Sequence, residues 1–396
     1  MQKIVILSFS MFVLGLDAYV IAGLIPLMQD SFHSSYAELG QAVTVFTLCY
    51  ALSAPLVSTL MPGKSIRYLL LLSIFIFSLA NAATAMASTL TGLMIARAIA
   101  GIGAGLFSPL AVATSVVLVD VKKKGKALGM ILAGMSSGTV IGVPAGIYIA
   151  HYFNWKMTFW LITVLGLFFM SLIAYFIPVV AITMTPSLSS RITMLFNPAV
   201  RKTVFVTLLV SISSLGLYTY LGAIIDYIKP AYSLSLYLWA WGVGGIFGSF
   251  SIGFIMDKTE QIRGLLAGIL VILSLAFILL PSSLSMGFAG LFALFIWGAM
   301  GWSSQLPQQH SLLSIDPQNG AITVALNSSA NYLGSSIGSA LGGFILFIEL
   351  APTYLPYCAG LLLIIAFILQ LNLMGFSNVA EKNRRTLFSD RGGRNG

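Results

Sequence analysis

The chain is 396 residues long, 58% hydrophobic and only 8% charged, where soluble domains carry about 25% charged residues. A soluble globular fold is excluded, and a mean hydropathy of +0.97 makes the lipid bilayer the partner of most of the surface. The formal charge of +9 lies in short polar breaks between apolar runs rather than on one basic face, so nucleic acid is not an expected partner.

Runs of about 20 apolar residues, each able to cross about 30 Å of hydrocarbon as a helix, follow one another from Met1 to Phe376. No strand-like alternation interrupts them, and only helices satisfy their own backbone within one such segment. The first predicted helix, 4–28, carries Asp17 and Pro26; it is too long for a signal peptide and lacks a small-residue cleavage site. Helices at 39–61 and 69–88 enclose a short loop with Lys64 and Arg67, and the helix at 91–117 contains Arg97 in an otherwise uncharged stretch. In the fifth, 127–150, Gly134, Gly138, Gly142 and Gly146 form one stripe interrupted by Pro144. The proline removes a backbone hydrogen bond and predicts a bend, while the stripe fits either close helix packing or a gating hinge. After a sixth helix at 158–178 comes the longest polar break, and the remaining helices fall at 202–226, 235–256, 264–281, 287–313, 321–349 and 355–376. The predicted organisation is an N-terminal six-helix bundle (1–178), a cytoplasmic linker (179–201), a C-terminal six-helix bundle (202–376) and a cytoplasmic tail (377–396). That is an all-α membrane protein of twelve transmembrane helices.

With both termini cytoplasmic, 17 of the 20 Lys and Arg residues fall inside, Lys156 and Lys229 fall outside, and Arg97 lies in the membrane. The positive-inside rule favours this orientation. Cys49 and Cys358 lie in apolar segments and are expected to pack, and His33, His151 and His310 are too scattered for a metal centre. Without a nucleophile or metal cluster, an enzyme is not expected.

Ile141-Gly142-xxx-Gly146 in the fifth helix returns 196 residues later as Ile337-Gly338-xxx-Gly342 in the eleventh. Two copies with an even number of helices share one orientation, the parallel repeat of major facilitator transporters. SGTVIGVPAG (137–146) resembles the glycine-proline signature of the fifth helix in the drug:proton antiporters of that superfamily. LMIARAIAGIGAG (93–105) is similar to the fourth-helix pattern, with Arg97 and Gly101 at matching positions, and LGLDAYVIAGLIP (14–26) looks like the first-helix pattern of an acid and a later proline. WGAMGWSSQLPQQHSLL (297–313) and ALNSSANYLGSSIGSALGG (325–343) resemble most the arabinose, purine-nucleoside and chloramphenicol efflux permeases of bacteria. The family's loop after the second helix, Gly-xxx-Asp-Arg, is altered here, with Ser58 and Pro62 where Gly and Asp are expected. Gly253, Asp257, Lys258 and Arg263 keep it in the second half, which implies that the cytoplasmic gate latch rests there.

An arginine near the bilayer centre costs about 2.5 to 3.5 kcal/mol on insertion scales and needs a partner. At about 1.5 Å per residue, Asp17 lies about 10 Å below the outer surface on the first helix, and Arg97 about 9 Å below it on the fourth. Burial disfavours a carboxylate and a guanidinium favours it, so Asp17 is expected to carry a proton with Arg97 as its partner. The alternative is a purely structural ion pair in an uncoupled facilitator or importer. In the fold this sequence resembles, helices one, four, seven and ten line the cavity. That implies Tyr19, Gly101, Tyr218, Tyr220, Trp297, Trp302 and Gln305 as cavity residues, with Asn327 and Asn331 beside them on helix eleven. These two asparagines share a helix face, suited either to a solute or to a helix contact. The expected whole is a monomeric exporter of nucleosides or purines, sugars or drugs in the bacterial cytoplasmic (inner) membrane, driven by a proton gradient and free of cofactor.

Overall fold

The computed structural model describes the chain outside residues 61–64, 121–122, 180–192, 260, 316–319 and 393–396, and its side chains outside 54–60, 320–321 and 375–392 as well. The first half comprises α1 (Gln2–Phe32), α2 (Tyr36–Leu60), α3 (Ile66–Met86), α4 (Leu90–Val117), α5 (Lys124–Ser137), a π turn (Gly138–Gly142), α6 (Val143–Tyr152) and α7 (Trp155–Phe176). The second comprises α8 (Pro198–Thr219), α9 (Leu221–Ile228), α10 (Leu234–Asp257), α11 (Ile262–Leu284), α12 (Phe288–Ser303), α13 (Gln305–Ile315), α14 (Gly320–Phe347) and α15 (Tyr354–Gly392). Nine spans among the described residues are long and apolar enough to cross a membrane, counting α5 through α6 as one. Spans two, ten and eleven are α2, the α12–α13 pair and α14, which completes an all-α membrane protein of twelve spans. Most of the predicted linker, Pro62, and the side chains of Ser58 and of the tail lie outside the described residues.

Polar residues at the loop ends close the helices. Ser65, Thr89, Asn154 and Asn197 accept the first free backbone N–H groups of α3, α4, α7 and α8, groups that have no partner within the helix.

Three spans are not the continuous helices that periodicity predicts. In span five a π turn stands immediately before Val143-Pro144, where the proline nitrogen donates nothing to Val140. Span ten breaks at Ser304, where Pro307 leaves the carbonyl of Ser303 without its i+4 donor. Span seven breaks at Tyr220, whose ring lies against Gly342 of α14 and whose hydroxyl donates to the Ser339 carbonyl at 2.7 Å. The last helix runs on to Gly392 rather than ending near Phe376, because loss of apolar character ends a membrane span without ending a helix. Cys358 is exposed rather than packed, and Cys49 is half-buried.

Glycines bring backbones together in a pattern that repeats. Gly134 and Gly138 of span five face the Ser8 and Phe12 carbonyls of span one, and Gly334 and Gly338 of span eleven face the Leu208 and Ile212 carbonyls of span seven. Gly101 and Gly105 of span four rest on the Phe46 and Tyr50 carbonyls of span two, and span ten meets span eight likewise through Gly298 on the Trp241 carbonyl. Lipid offers helices no hydrophobic reward for association, so such close approach supplies the attraction. The contacts of spans five and eleven thus repeat between the halves, pairing Gly138 with Gly338, one helical turn away from the Gly142-to-Gly338 match that the sequence motif gives.

Candidate functional site

Asp17 and Arg97 meet inside the first half. Arg97 Nη1 donates to Asp17 Oδ1 at 2.8 Å, and both side chains are 0% exposed. The guanidinium carbon lies 4.3 Å from the Phe46 ring centroid and 5.7 Å from that of Phe159. Arg97 Nη1 also lies 3.4 Å from Asn81 Oδ1, and Asn81 Nδ2 donates to the Phe77 carbonyl at 3.0 Å. Asp17 Oδ2, Arg97 Nε and Arg97 Nη2 have no hydrogen-bond partner. The pair is thus half satisfied, with one free acceptor lobe on the acid and free donors on the base.

The corresponding junction of the second half is neutral. Trp297 Nε1 of span ten donates to Ser214 Oγ of span seven at 2.8 Å, and Phe277 of span nine meets the Trp297 ring edge-on at 5.0 Å. Trp297 is fully buried in this junction, which corrects its expected place in the cavity wall. Tyr220 and Gly101 also leave that set, since Tyr220 is fully buried in the seam between span eleven and Gly40 of span two, and Gly101 is a packing contact with span two.

Aromatic side chains from both halves meet between them. Tyr19 lies edge-on to Tyr218 at 5.9 Å, Tyr218 packs on Trp241 at 4.6 Å, and Trp241 meets Trp302 at 6.3 Å. Tyr50 of α2 stacks on Tyr332 of α14 at 3.7 Å, and the Tyr332 hydroxyl reaches Met135 Sδ of α5 at 3.8 Å. The Tyr218 hydroxyl and Trp241 Nε1 are buried without partners. Tyr19, Tyr218 and Trp302 come from spans one, seven and ten, which the resemblance expects to line the cavity, whereas Tyr50, Trp241 and Tyr332 come from spans two, eight and eleven outside that set.

A polar cluster adjoins this layer. Gln305 Nε2 donates to Asn331 Oδ1 at 3.1 Å, and the Thr207 hydroxyl lies within hydrogen-bond distance of the side-chain amides of Gln308 (2.9 Å) and Asn327 (2.6 Å). Asn327 is buried in helix contacts, whereas Gln305 and Asn331 are half-buried.

On one side of the aromatic layer the halves are joined. Tyr36 donates to Asp226, Ser336 Oγ to the Thr44 carbonyl at 3.0 Å, and Ser339 Oγ to the Gly40 carbonyl at 3.0 Å. On the other side, toward the basic loops, no hydrogen bond or ion pair joins the halves among the described residues. There Asp257 and Lys258 are exposed and Gly253 faces open space. Arg263 is not free to latch, because its Nη1 donates to the Leu373 carbonyl of its own half at 2.9 Å. Gly138, Gly142 and Gly146 face α1 or α7 within the first half, and Pro144 is buried.

A family model described as Major Facilitator Superfamily matches residues 7–339. The inner membrane transport protein YdhP of Escherichia coli (strain K12) is 24% identical over 91% of this chain and 94% of its own. A probable sugar efflux transporter of Mannheimia succiniciproducens is 27% identical over 87% of each. Among solved structures, the nucleoside transporter NupG superposes with a TM-score of 0.75 at 11% identity, covering 94% of this chain and 99% of its own. A D-xylose–proton symporter does so with a TM-score of 0.75 at 16% identity, covering 93% and 96%.

Proposed function

We propose, from the premise that the chain belongs to the Major Facilitator Superfamily, that it exports a small organic molecule in exchange for protons. The coarse part is plain: the protein is a multi-pass membrane transporter of small molecules and not an enzyme. The observation that carries the proton coupling is the fully buried Asp17–Arg97 pair with its unpartnered Oδ2. A guanidinium keeps its proton, so Asp17 is the titrating member. A proton added at Oδ2 breaks no existing hydrogen bond, yet it removes the charge that holds Arg97. Two conformations that differ in this contact then exchange populations.

The neutral counterpart argues against a purely structural pair. Spans seven, nine and ten are tied by Trp297, Ser214 and Phe277 without any charge, so the fold does not need an ion pair at this junction. Buried ion pairs add little stability over apolar replacements, which leaves function as the reason to keep one.

The substrate's place is the aromatic layer, where Tyr19, Tyr50, Tyr218, Trp241, Trp302 and Tyr332 offer ring faces, with Gln305 and Asn331 beside them. Such walls suit a flat, weakly charged solute. Nucleosides or purines, sugars, and drugs such as chloramphenicol are the classes to test, and the probable sugar efflux transporter among the relatives supports both the class and the direction. With both termini cytoplasmic, in a bacterial inner membrane, the joined end faces outward and the layer is reached from the cytoplasm.

A thermal-shift screen of purines, nucleosides, pentoses and amphenicols on purified protein identifies the ligand, because binding stabilises the folded state by mass action. Proteoliposomes then test the coupling. Asp17→Asn should fold and bind that ligand but fail to move it against its gradient when a pH difference is imposed. Accumulation by the Asp17→Asn protein equal to that of the wild type removes Asp17 from the mechanism and leaves a facilitator.

A further inference from the structure

We infer that Asn81 is the second seat of the Arg97 guanidinium: when Asp17 takes up its proton, Arg97 moves from Asp17 Oδ1 to Asn81 Oδ1. The inference rests on the proton-carrying role given to Asp17 above and adds the residue that makes it workable.

The geometry sets the two seats side by side. One nitrogen, Arg97 Nη1, is 2.8 Å from Asp17 Oδ1 and 3.4 Å from Asn81 Oδ1, so the first contact is a full hydrogen bond and the second stands at the edge of one. Asn81 Nδ2 is committed to the Phe77 carbonyl one turn back on α3, and this turns Oδ1 toward the arginine. Asp17, Asn81 and Arg97 are each 0% exposed. A guanidinium released by Asp17 in such a place must find another acceptor, since leaving buried donors of a charged group unpaired is costly.

An amide oxygen suits that task for a chemical reason. It accepts from a cation and does not bind a proton itself at physiological pH, so it does not compete with Asp17 for the proton. The step balances simply: one proton from the medium adds to a carboxylate oxygen of Asp17, the carboxyl becomes neutral, and Arg97 keeps its charge and all its protons. The cluster gains one positive charge, which the Phe46 face at 4.3 Å shares. Arg97 from α4 and Asn81 from α3 are the groups that face the Asp17 carboxyl. Phe46 of α2 and Phe159 of α7 face the guanidinium and do not titrate. No other charged side chain is buried with them among the described residues. At the corresponding place in span nine stands Phe277, so the architecture itself does not require an amide there.

The test follows Asp17 directly, in purified full-length protein in lipid nanodiscs. An infrared pH titration reads the protonated-carboxyl band, assigned in each background by its loss in Asp17→Asn. Asn81→Leu removes the second seat and should shift the protonation midpoint of Asp17 to lower pH by about one unit, a tenfold change in proton affinity. Asn81→Ala should shift it in the same direction if leucine does not fit. Asn81→Asp places a second carboxylate beside Asp17 and Arg97, and repulsion between the two acids should shift the Asp17 midpoint to higher pH. Wild-type midpoints in all three variants, or higher midpoints in the leucine and alanine variants because Asn81 holds the charged carboxylate instead, would unseat Asn81 as the acceptor of Arg97 while leaving Asp17 as proton carrier. If Asp17 shows no protonation in the wild type at any accessible pH, the proton-coupled reading falls, and this inference with it.

Discussion

Tyr36 at the start of span two donates a hydrogen bond to Asp226 near the end of span seven, joining the two halves at the end remote from the basic loops. One and two turns inward, Ser339 and Ser336 repeat the tie to Gly40 and Thr44. These three contacts hold one side of the transporter shut, and their loss should favour the opposite state.

The first prediction concerns that closure. A single hydrogen bond contributes about 1 kcal/mol net, which is about a fivefold change in a conformational equilibrium. Tyr36→Phe and Asp226→Ala should each raise, by about that factor, the labelling rate of a Thr44→Cys reporter by a membrane-impermeant maleimide. Cys49 and Cys358 must first be changed to serine. Unchanged labelling in both variants would mean that this contact does not hold the gate.

The second concerns the buried pair. Removing one partner of such a pair costs about 3–5 kcal/mol when the other is left charged. Asp17 can escape by taking a proton, but Arg97 cannot. Asp17→Leu should therefore destabilise the protein more than Arg97→Met, and the double variant should recover most of the loss. Unfolding in detergent measures all three, and equal single losses would contradict the asymmetry.

The third concerns the glycine contacts. A Cβ at Gly138 would meet the Phe12 carbonyl, and one at Gly338 the Ile212 carbonyl, whereas Gly253 and Gly268 face open space. Overpacking of this kind costs about 1–3 kcal/mol. Gly138→Ala and Gly338→Ala should lower the melting temperature, and Gly253→Ala and Gly268→Ala should not. Melting curves by fluorescence-detected chromatography decide it.

The fourth separates two neighbouring tyrosines. Tyr220→Phe loses the bond to the Ser339 carbonyl and should cost about 1 kcal/mol of stability with no change in KM for the ligand found in the screen. Tyr218→Ala removes a ring from the layer between the halves and should raise KM about tenfold, the upper range for one aromatic contact. A raised KM for Tyr220→Phe would return that residue to the binding site.

Much of this was legible in the residues. Apolar runs define twelve spans because hydrocarbon thickness fixes a length, and depth along a helix put Asp17 and Arg97 on one level, where the structure has them touching. What depth cannot supply is rotation. Trp297 stands on a cavity-lining span yet turns into the bundle, Tyr220 on another turns into the closed seam between Gly342 and Gly40, and Tyr50 and Tyr332 stand on other spans yet turn toward the opposite half. Asn81 was hidden for another reason, because Leu79-Ala80-Asn81-Ala82-Ala83 reads as small-residue packing, and its meaning comes only from the arginine beside it. The break at Ser304 had its signal in Pro307, while the break at Tyr220 had none, since it is made by a contact from span eleven.

The serine hydroxyls that tie Ser336 and Ser339 to backbone carbonyls make the closed side a wettable seam. Each bond given up as the halves part can be replaced at once by water entering from that side, at little enthalpic loss. A seam sewn with buried ion pairs would have to rehydrate whole charges before it gained anything. The serine stitching thus favours rapid reopening of this side of the transporter.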